Sequence, residues 1–357
     1  MTRVLIAAGG TGGHVVPALA LADALSARGA EVGFVGVRRS GASGRVAEHG
    51  YSHDTIRLRG FARRLTLGNL VTVAQAALAV PAALRILRKR RAQVVVGAGG
   101  YVAGPVGLAA WLTRRPLLIT EADSHLGITN RLLAPLARRV ALAFPISGRR
   151  GRRYAVTGRP VSMAVRTATR TGGRRALGIA PEETVVLIVG GSQGARSLNE
   201  AAIGAFGDAP PFTVIHSCGI ANYDGAAAEL ARRASGSRYR LEAYLDNLPD
   251  AIAAADLVVS RAGGSVCEIA AIGRPAILVP YPHASGDHQE KNARWMAEAG
   301  AAISLPDYAC TPEKLRGLVG ALLSDPRRLE VMGEAALAIG RPEAAEDIAE
   351  MVLELAG

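Results

Sequence analysis

The sequence predicts an α/β protein with two domains, each built on a parallel sheet that helices cover. Short apolar runs rich in β-branched residues alternate with helical patterns in both halves of the chain. Three of these runs end in glycine-rich turns, which is typical of strands that lead into helices. A chain of 357 residues, 49% of them apolar, is long enough for two cores at roughly 100–200 residues per domain.

The first half opens with a predicted strand over Arg3–Ala8 that stops at glycines. Helical spacing follows from Val15 to Arg28, and Gly29 stands where a C-cap is expected. The next strand is predicted at residues 31–36. Further strands, with helical patterns between them, are predicted at residues 93–97, 116–120 and 138–143.

The second half starts near Pro181, with a strand over Thr184–Val189 and a helix from Ala195. Further strands are predicted at residues 212–217, 239–242, 256–260 and 276–279, and helices at residues 221–234, 265–272, 289–299, 312–323 and 342–355. Between the halves, Gly158–Gly173 is rich in Arg, Thr and Gly and has no clear period. This composition predicts a linker.

Cysteine usage and apolar segments exclude several classes of protein. The chain has three scattered cysteines, Cys218, Cys267 and Cys310, and none has the spacing of a zinc site. An odd, scattered set argues against a disulfide framework and favours a reduced, cytoplasmic compartment. The N-terminal apolar run is too short for a signal peptide, and Leu67–Leu87 is interrupted by polar residues and a proline. We therefore expect no transmembrane helix.

Charge is divided unevenly along the chain. Residues 1–160 contain 24 Lys and Arg against 6 Asp and Glu, and the remainder contains 18 against 24, within a total net charge of +12. A basic half suits nucleic acid, an anionic membrane or a phosphorylated substrate. Nucleic acid is disfavoured because no recognised binding motif is present and aromatics make up only 4%. Simple compositional bias is the alternative, since 39 of the 42 basic residues are Arg.

The glycine-rich turns are Gly9–Gly13, Gly97–Gly100 and Gly190–Gly194. Glycine permits positive φ and close approach of a ligand to the main chain, and the following helix N-terminus favours an anion. None of the turns has the spacing of a dinucleotide fingerprint or a P-loop. A tight strand-to-helix turn is the alternative for each, but three at the ends of parallel strands favour a phosphorylated ligand.

Six segments make the pattern specific: GGTGGHVVPALALADAL, GAGGYVAGP, GITNRLLA, VGGSQGARSLNE, EIAAIGRPAILVP and DHQEKNA, in this order. Together they resemble the MurG family, the UDP-GlcNAc:lipid I N-acetylglucosaminyltransferases, over essentially the whole chain. The resemblance implies the GT-B fold, with two Rossmann-like domains whose parallel sheets face each other across a cleft. It implies an N-terminal acceptor domain at 1–160, a UDP-sugar-binding domain at 161–340, and a C-terminal helix at 341–357 that can pack back on the N-terminal domain.

The activity implied by this resemblance is the inverting transfer of GlcNAc from UDP-GlcNAc to the 4-hydroxyl of MurNAc in lipid I. The product is lipid II, for peptidoglycan synthesis and hence cell shape and division. The implied partners are UDP-GlcNAc, lipid I and the anionic inner membrane surface, with a peripheral position at the cytoplasmic face of the cell membrane. No cofactor and no metal are implied, because a helix N-terminus can serve the diphosphate.

Such a displacement needs a base for the hydroxyl and stabilisation of the departing diphosphate. His14 is the candidate base, since it follows the first glycine turn at a helix start, beside Pro17 as a first-turn residue. A helix N-terminus tends to keep imidazole neutral. A capping histidine is the alternative. Glu121, retained from the family pattern, is predicted as a second catalytic residue.

The resemblance also implies binding residues. By this resemblance, the turn that ends at Gly194 binds the donor diphosphate, and Glu268 accepts hydrogen bonds from the ribose hydroxyls. The backbone near Leu245 recognises uracil. The predicted donor set is Thr11, Gly12, Gly13, Asp123, Arg159, Ser192, Gln193, Gly194, Leu245, Gly263, Gly264, Ser265, Val266, Cys267, Glu268 and Gln289. The predicted acceptor-diphosphate set is Gly12, Gly13, Gly99, Gly100 and Tyr101. For Glu268, the alternative is a surface helix residue, and the Gln289 amide can both donate to and accept from sugar hydroxyls.

Two segments depart from the family pattern. Thr120–Asp123 stands where the family usually carries His-Glu-Gln-Asn, and an ionised Asp123 cannot donate a hydrogen bond. His125, two residues on, could substitute for the lost histidine. The family's Asn-Pro-Val-Arg is Arg159–Ser162 here, so that Arg159 or Arg166 would have to replace the missing arginine. With these changes, a UDP-sugar donor is still predicted, but the identity of the acceptor is left open.

Leu67–Leu87 followed by Arg88–Arg91 combines apolar surface with basic charge, which predicts peripheral membrane binding. A buried helix with a charged end is the alternative. Two other functions remain open: a GT-B glycosyltransferase that uses a UDP-sugar on another glycolipid or natural-product acceptor, and a non-catalytic membrane- or nucleic-acid-binding module. The glycine spacing disfavours a nicotinamide dehydrogenase.

Overall fold

The computed structural model describes residues 1–9, 12–37, 42–58, 67–191, 193–234 and 236–357. The chain divides into two compact units. Unit 1 comprises Met1–Ser162 together with Glu343–Gly357, and unit 2 comprises Met163–Pro342. Each unit contains one parallel sheet with helices on both faces.

The strands of unit 1 form a parallel sheet of seven within the described residues. They are β1 (Arg3–Ala7), β2 (Glu31–Val37), β3 (Ser52–Ile56), β4 (Val94–Gly97), β5 (Leu117–Glu121), β6 (Arg139–Leu142) and β7 (Tyr154–Val156). The helices between them are α1 (Gly12–Ala27), α2 (Ala42–Glu48), α3 (Leu67–Lys89), α4 (Ala103–Leu112) and α5 (Ile128–Leu133). The strand order is β3-β2-β1-β4-β5-β6-β7.

Side chains of the unit 1 strands fill two cores, one on each face of the sheet. Val4 and Ile6 of β1 lie in one core, against α1 and the C-terminal helix α15 (Ala344–Glu354). Leu5 and Ala7 lie in the other, against α3 and α4. Because successive side chains on a strand point to opposite faces, a strand covered on both sides must be apolar throughout. This requirement explains the continuous apolar run of β1.

Unit 2 carries a parallel sheet of six strands within the described residues, in the order β10-β9-β8-β11-β12-β13. The strands are β8 (Val185–Val189), β9 (Thr213–Ser217), β10 (Tyr239–Glu242), β11 (Leu257–Ser260), β12 (Ala276–Leu278) and β13 (Ala302–Ser304). The helices are α6 (Met163–Thr167), α7 (Arg170–Ala176), α8 (Arg196–Phe206), α9 (Tyr223–Ala231), α10 (Leu248–Ala254), α11 (Ser265–Ile272), α12 (His288–Glu298), α13 (Pro312–Leu323) and α14 (Pro326–Ile339).

Each sheet has a point where the direction of strand addition reverses. In unit 1 it lies between β1 and β4, and in unit 2 between β8 and β11. Parallel α/β sheets bind ligands at the carboxyl ends of the strands that flank such a point. The three predicted glycine turns follow β1, β4 and β8 and therefore lie at these positions.

Several predicted elements are confirmed. Strand Tyr239–Glu242 and helices Ser265–Ile272 and Pro312–Leu323 have the predicted bounds, and most others differ by one to three residues at an end. Strands β3, β7 and β13 were not predicted. In β3 only Ile56 is buried, because the strand lies at the edge of the sheet, so its sequence lacks an apolar run.

Two predictions are wrong. The predicted linker Gly158–Gly173 contains α6 and the start of α7, whose N-cap Thr169 accepts a hydrogen bond from the N–H of Gly172 at 3.1 Å. These helices are too short to show a period, and α7 packs closely on α10, where a Cβ at Gly173 would overlap the Asp250 carbonyl. Helix α1 begins at Gly12, so Pro17 lies in its second turn and not its first.

Among the helices that the structure describes, none combines the length and apolar character that crossing a bilayer requires. In the described second half of α3, Ala79, Ala83 and Leu87 are buried in the core, whereas Leu78 is 77% exposed. Lys89, the last residue of α3, and Arg90 after it both donate to the Asp54 carboxylate. This second half of the helix is thus partly buried and partly exposed.

The C-terminal helix α15 completes the core of unit 1, and a cavity there should destabilise that unit. Ile348 is 1% exposed within the core that contains α1. We expect Ile348→Ala to lower the free energy of unfolding by about 2–5 kcal/mol, measured by urea unfolding, with faster hydrogen exchange in α1. Glu350→Ala, on the exposed face of the same helix, should change it by no more than about 0.5 kcal/mol. If the backbone amides of α1 exchanged at equal rates in the two variants, this role of α15 would be contradicted.

Candidate active site

The turns after β1 and β4 pack against each other at the switch point of unit 1. A Cβ atom at Gly100 would overlap the carbonyl oxygen of Gly9, and one at Gly99 would overlap the His14 ring. Gly99 and Gly100 also have positive φ, at 89° and 73°, which L side chains rarely adopt. Glycine at both positions therefore lets the first turn of α1 lie directly against the β4 turn. Thr11 lies outside the described residues.

His14 is the third residue of α1 and is half-buried. Burial lowers its pKa; the Asp123 carboxylate acts in the opposite direction, and the Arg159 guanidinium lowers the pKa further. Its Nδ1 is buried and has no hydrogen-bond partner among the described residues. The imidazole is consequently neutral near pH 7, which is the state that a general base requires.

Glu121 anchors the loop that follows β5. Its carboxylate accepts hydrogen bonds from the N–H groups of Asp123 at 3.1 Å and Gly127 at 2.9 Å, and from Asn130 Nδ2 at 2.9 Å. Burial raises the pKa of the Glu121 carboxyl, although these donors act in the opposite direction. The three bonds hold residues 122–127 in place. They describe an anchoring role, and a catalytic role for Glu121 stays a prediction.

Arg159 joins this loop to the helix that carries His14. Its Nη2 donates to the carbonyl oxygen of Gly13 at 2.6 Å, and its Nη1 donates to that of Ala122 at 3.3 Å. Arg159 follows β7, and the turn after β4 lies against His14, so segments after four different strands meet at one place. Gly13, His14, Gly99, Asp123 and Arg159 are thereby brought together at the carboxyl edge of the unit 1 sheet, with Gly12, Gly100 and Tyr101 in the same turns.

The glycine turn of unit 2, which ends at Gly194, packs against the turn that follows β9. Gly191 and Gly194 have φ of 82° and 73°, and a Cβ at Gly194 would overlap the carbonyl oxygen of Cys218. The Asn222 amide donates to the carbonyl oxygens of Gln193 at 3.1 Å and Cys218 at 3.2 Å. The main chain before α8 is thus fixed close to the sheet. Ser192 lies outside the described residues.

A buried polar chain that the sequence did not predict supports this turn. Asn199 Nδ2 donates to the Cys218 carbonyl at 2.9 Å, so its Oδ1 must accept from His216 Nε2 at 3.1 Å. His216 Nδ1 must then accept from the Tyr239 hydroxyl at 2.8 Å. Burial lowers the pKa of His216 to about 3, so the imidazole stays neutral and each bond has one direction. The polar His-Ser pair inside the apolar β9 segment is the signal that could have revealed it.

Helices α11 and α12 bring the remaining residues of the predicted donor set to the same edge of the sheet. Glu268 lies half-buried in the first turn of α11, after Gly263 and Gly264. The Gln289 Oε1 accepts from the N–H of Tyr281 at 2.9 Å, and a Cβ at Gly263 would lie 4.0 Å from its Nε2. Gln289 is therefore oriented with its amide donors toward the loop before α11. Ser265, Val266 and Cys267 are in that first turn too, and the half-buried Leu245 follows β10.

Arg261 is another buried polar residue that the sequence did not predict. It is 8% exposed, and its guanidinium donates to the Asp307 carboxylate at 2.5 Å, the Ser197 hydroxyl at 2.8 Å and the Val279 carbonyl at 3.1 Å. These partners belong to α8 and to the segments after β12 and β13. One buried cation therefore connects the loops that frame the carboxyl edge. A single arginine directly after the apolar run of β11 was its signal in the sequence.

The predicted donor set is divided between the units. Gly12, Gly13, Asp123 and Arg159 lie in unit 1, and the other described members of the set lie in unit 2. Among the described residues, no three His, Cys, Asp or Glu side chains are grouped so that they could hold a metal ion. In both units the structure offers main-chain N–H groups and polar side chains at a switch point, which suits a phosphorylated ligand.

Comparison with known proteins gives the family. Residues 4–142 match the glycosyltransferase family 28 N-terminal domain, and residues 185–351 match the glycosyltransferase family 28 C-terminal domain. Proteins from Desulforudis audaxviator and Nitrosococcus oceani, 40% and 42% identical over 99% of this chain and 99% of their own, are named UDP-N-acetylglucosamine–N-acetylmuramyl-(pentapeptide) pyrophosphoryl-undecaprenol N-acetylglucosamine transferase. The crystal structure of Acinetobacter baumannii MurG is 30% identical, with a TM-score of 0.79, over 99% of this chain and 100% of its own. The chain therefore belongs to glycosyltransferase family 28 and, within it, to the MurG family.

Proposed function

We propose that this chain transfers GlcNAc from UDP-GlcNAc to the 4-hydroxyl of MurNAc in lipid I, with inversion at the anomeric carbon, and so produces lipid II. The observation that carries the proposal is the similarity over 99% of the chain to transferases named for this reaction. Two family-28 domains, each with a site suited to a phosphorylated ligand, agree with a diphosphate donor and a diphosphate-linked acceptor.

Unit 2 supplies the donor side in this proposal. The N–H groups at the start of α8 face the diphosphate, because the turn from Gly190 to Gly194 allows close approach to the main chain. The Glu268 carboxylate accepts from the ribose hydroxyls, and the Gln289 amide donates to the sugar, since its Oε1 is held by the N–H of Tyr281. The backbone at Leu245 contacts uracil. As the C1–O bond breaks, the helix N-terminus stabilises the charge that develops on UDP.

Unit 1 supplies the acceptor side and the base. The neutral His14 imidazole takes the proton of the acceptor hydroxyl while that oxygen bonds to C1 of GlcNAc and UDP departs from the opposite face. The turns at Gly12–Gly13 and Gly99–Tyr101 hold the acceptor diphosphate. General-base catalysis typically contributes about 10²–10⁴-fold, and positioning of the two substrates contributes much of the rest.

The proposal is tested by incubating the protein with UDP-GlcNAc and a short-chain lipid I analogue. We expect UDP and the GlcNAc–MurNAc disaccharide product in equal amounts. The altered segment Thr120–Asp123 motivates a second candidate, a transferase for another glycolipid or natural product, and turnover with such acceptors only would favour it. No turnover, with lipid or DNA binding retained, would favour the non-catalytic module.

The base assignment is tested by His14→Gln. We expect kcat to fall by about 10²–10⁴-fold, with UDP binding retained in calorimetry because the donor residues of unit 2 are unchanged. Because burial lowers the pKa of His14 from 6.5, the acid limb of the wild-type kcat/KM profile, which reports the free enzyme, should lie below that value. His49→Gln, at an exposed position of unit 1, is the matched control. A near wild-type rate for His14→Gln would end the role of His14 as the base.

We also propose that unit 1 binds the anionic inner membrane surface peripherally, at the cytoplasmic face of the cell membrane. Helices α3 and α4 pack together and expose Leu78, Trp111 and Leu112 by 77%, 50% and 53%. Basic residues at the ends of these helices, among them Arg88 and Arg114, supply charge complementary to anionic lipid. Exposed apolar groups combined with basic charge are the two signals of peripheral binding.

Membrane binding is tested by sedimentation with vesicles. The protein should pellet with anionic vesicles at low salt and be released as the Debye length shortens from about 30 Å at 0.01 M to about 3 Å at 1 M salt. Trp111→Ser should weaken binding, whereas Tyr308→Ser, which removes an 89% exposed aromatic from unit 2, should not. Equal binding to neutral vesicles, unaffected by salt, would count against an electrostatic contribution.

A further inference from the structure

A proline leaves one carbonyl of α1 without its helical partner. In an α-helix the N–H of residue i donates to the carbonyl of residue i−4. Pro17 lies inside α1 and has no N–H, so the Gly13 carbonyl cannot receive this bond. The proline ring also crowds that carbonyl. The unpaired carbonyl belongs to the residue directly before His14.

Arg159 supplies the missing donor. Its Nη2 lies 2.6 Å from the Gly13 oxygen, and its Nη1 donates at the same time to the carbonyl of Ala122. A planar guanidinium can serve two acceptors in fixed directions. Because Ala122 lies between Glu121 and Asp123, the bridge fixes the helix turn that carries His14 relative to the loop that Glu121 anchors.

Arg159 carries a charge opposite to that of Asp123, which lies in the β5 loop that the bridge holds. Asp123 in the β5 loop and Arg159 after β7 act on the imidazole in opposite directions. The titratable groups on the described elements next to the ring also include Tyr101, in the turn after Gly99, and His125, in the β5 loop. Glu121 precedes that loop, and its oxygens accept two hydrogen bonds from the loop and one from Asn130 of α5. The charges of Asp123 and Arg159 are the ones that shift the pKa of His14, upward and downward respectively.

We propose that Arg159 is a positioning residue with two separable effects: it replaces the helix hydrogen bond that Pro17 removes, and it balances the Asp123 carboxylate beside His14. The sequence departs from the family pattern at both Asp123 and Arg159, and the structure places the two substitutions around one imidazole. The importance of this pair for transfer rests on the proposed function, in which His14 is the base.

The charge effect is tested by NMR titration of the His14 ring in the full-length protein. Arg159→Gln should shift the midpoint upward, Asp123→Asn should shift it downward, and the double variant should return it toward the wild-type value. Arg159→Lys keeps the charge and should leave the midpoint nearly unchanged. Arg138→Gln, which removes an exposed arginine elsewhere in unit 1, is the matched control. A His14 midpoint that is the same in all variants would overturn the charge effect.

The bridge is tested by combining Arg159 variants with Pro17→Ala, which restores an N–H for the Gly13 carbonyl. Hydrogen exchange at the start of α1 should accelerate in both Arg159→Gln and Arg159→Lys, and accelerate less when Pro17→Ala is present. Additive effects of the two changes would overturn the bridge. These readouts need no substrate, so they distinguish failure of this proposal from failure of the proposed function.

In the transfer assay, Arg159→Gln should lower kcat by up to about 100-fold through displacement of His14. The acid limb of the kcat/KM profile, which reports the free enzyme, should move upward with the NMR midpoint. A purely structural role would lower kcat without moving that limb. If the protein shows no transferase activity but the NMR midpoints shift as expected, the proposed function fails and the positioning role stands.

Discussion

Close contact between main chains at the switch points is the constraint on which both sites depend. In unit 1 the Gly100 Cα lies against the Gly9 carbonyl, and in unit 2 the Gly194 Cα lies against the Cys218 carbonyl. Any side chain at Gly100 or Gly194 would force the paired turns apart. Parallel strands bring these turns to one edge of each sheet, but only glycine lets each turn lie this close to its neighbour. The pattern of glycines therefore reflects backbone packing as well as the proposed ligand contact.

The two units support their turns by different means. In unit 2 a neutral, fully buried chain from Tyr239 through His216 to Asn199 holds the Cys218 carbonyl, and the Arg261–Asp307 ion pair connects the surrounding loops. Unpaired members of such buried networks are costly, so each network has one arrangement. In unit 1 the corresponding support is the Arg159 bridge, which carries a formal charge close to the proposed base. The turns are thus supported by a neutral chain and a paired cation in unit 2, and by a single cation close to the proposed base in unit 1.

Much of the architecture could be predicted because it depends on local patterns. Apolar runs that end in glycine marked β1, β4 and β8, and the helix Ser265–Ile272 was predicted at its observed bounds. Strand β3 could not be predicted, since an edge strand with one buried residue has no apolar pattern. Helices α6 and α7 were mistaken for a linker because their stability comes from contacts such as Gly173 against α10. For the site, the sequence indicated the glycines, His14, Glu268 and Gln289, but it indicated neither Arg261 nor the His216 chain.

By itself, the sequence determined the fold class, the two sheets and the residue types that meet at their carboxyl edges, because strand patterning and glycine spacing are local properties. Tertiary structure alone decided which polar groups pair. That Arg159 donates to a carbonyl deprived of its partner by Pro17, 142 positions away in the chain, follows from the placement of β7 and α1 in one unit. Hydrogen bonds and charge effects depend on distances between segments remote in sequence, and folding sets those distances.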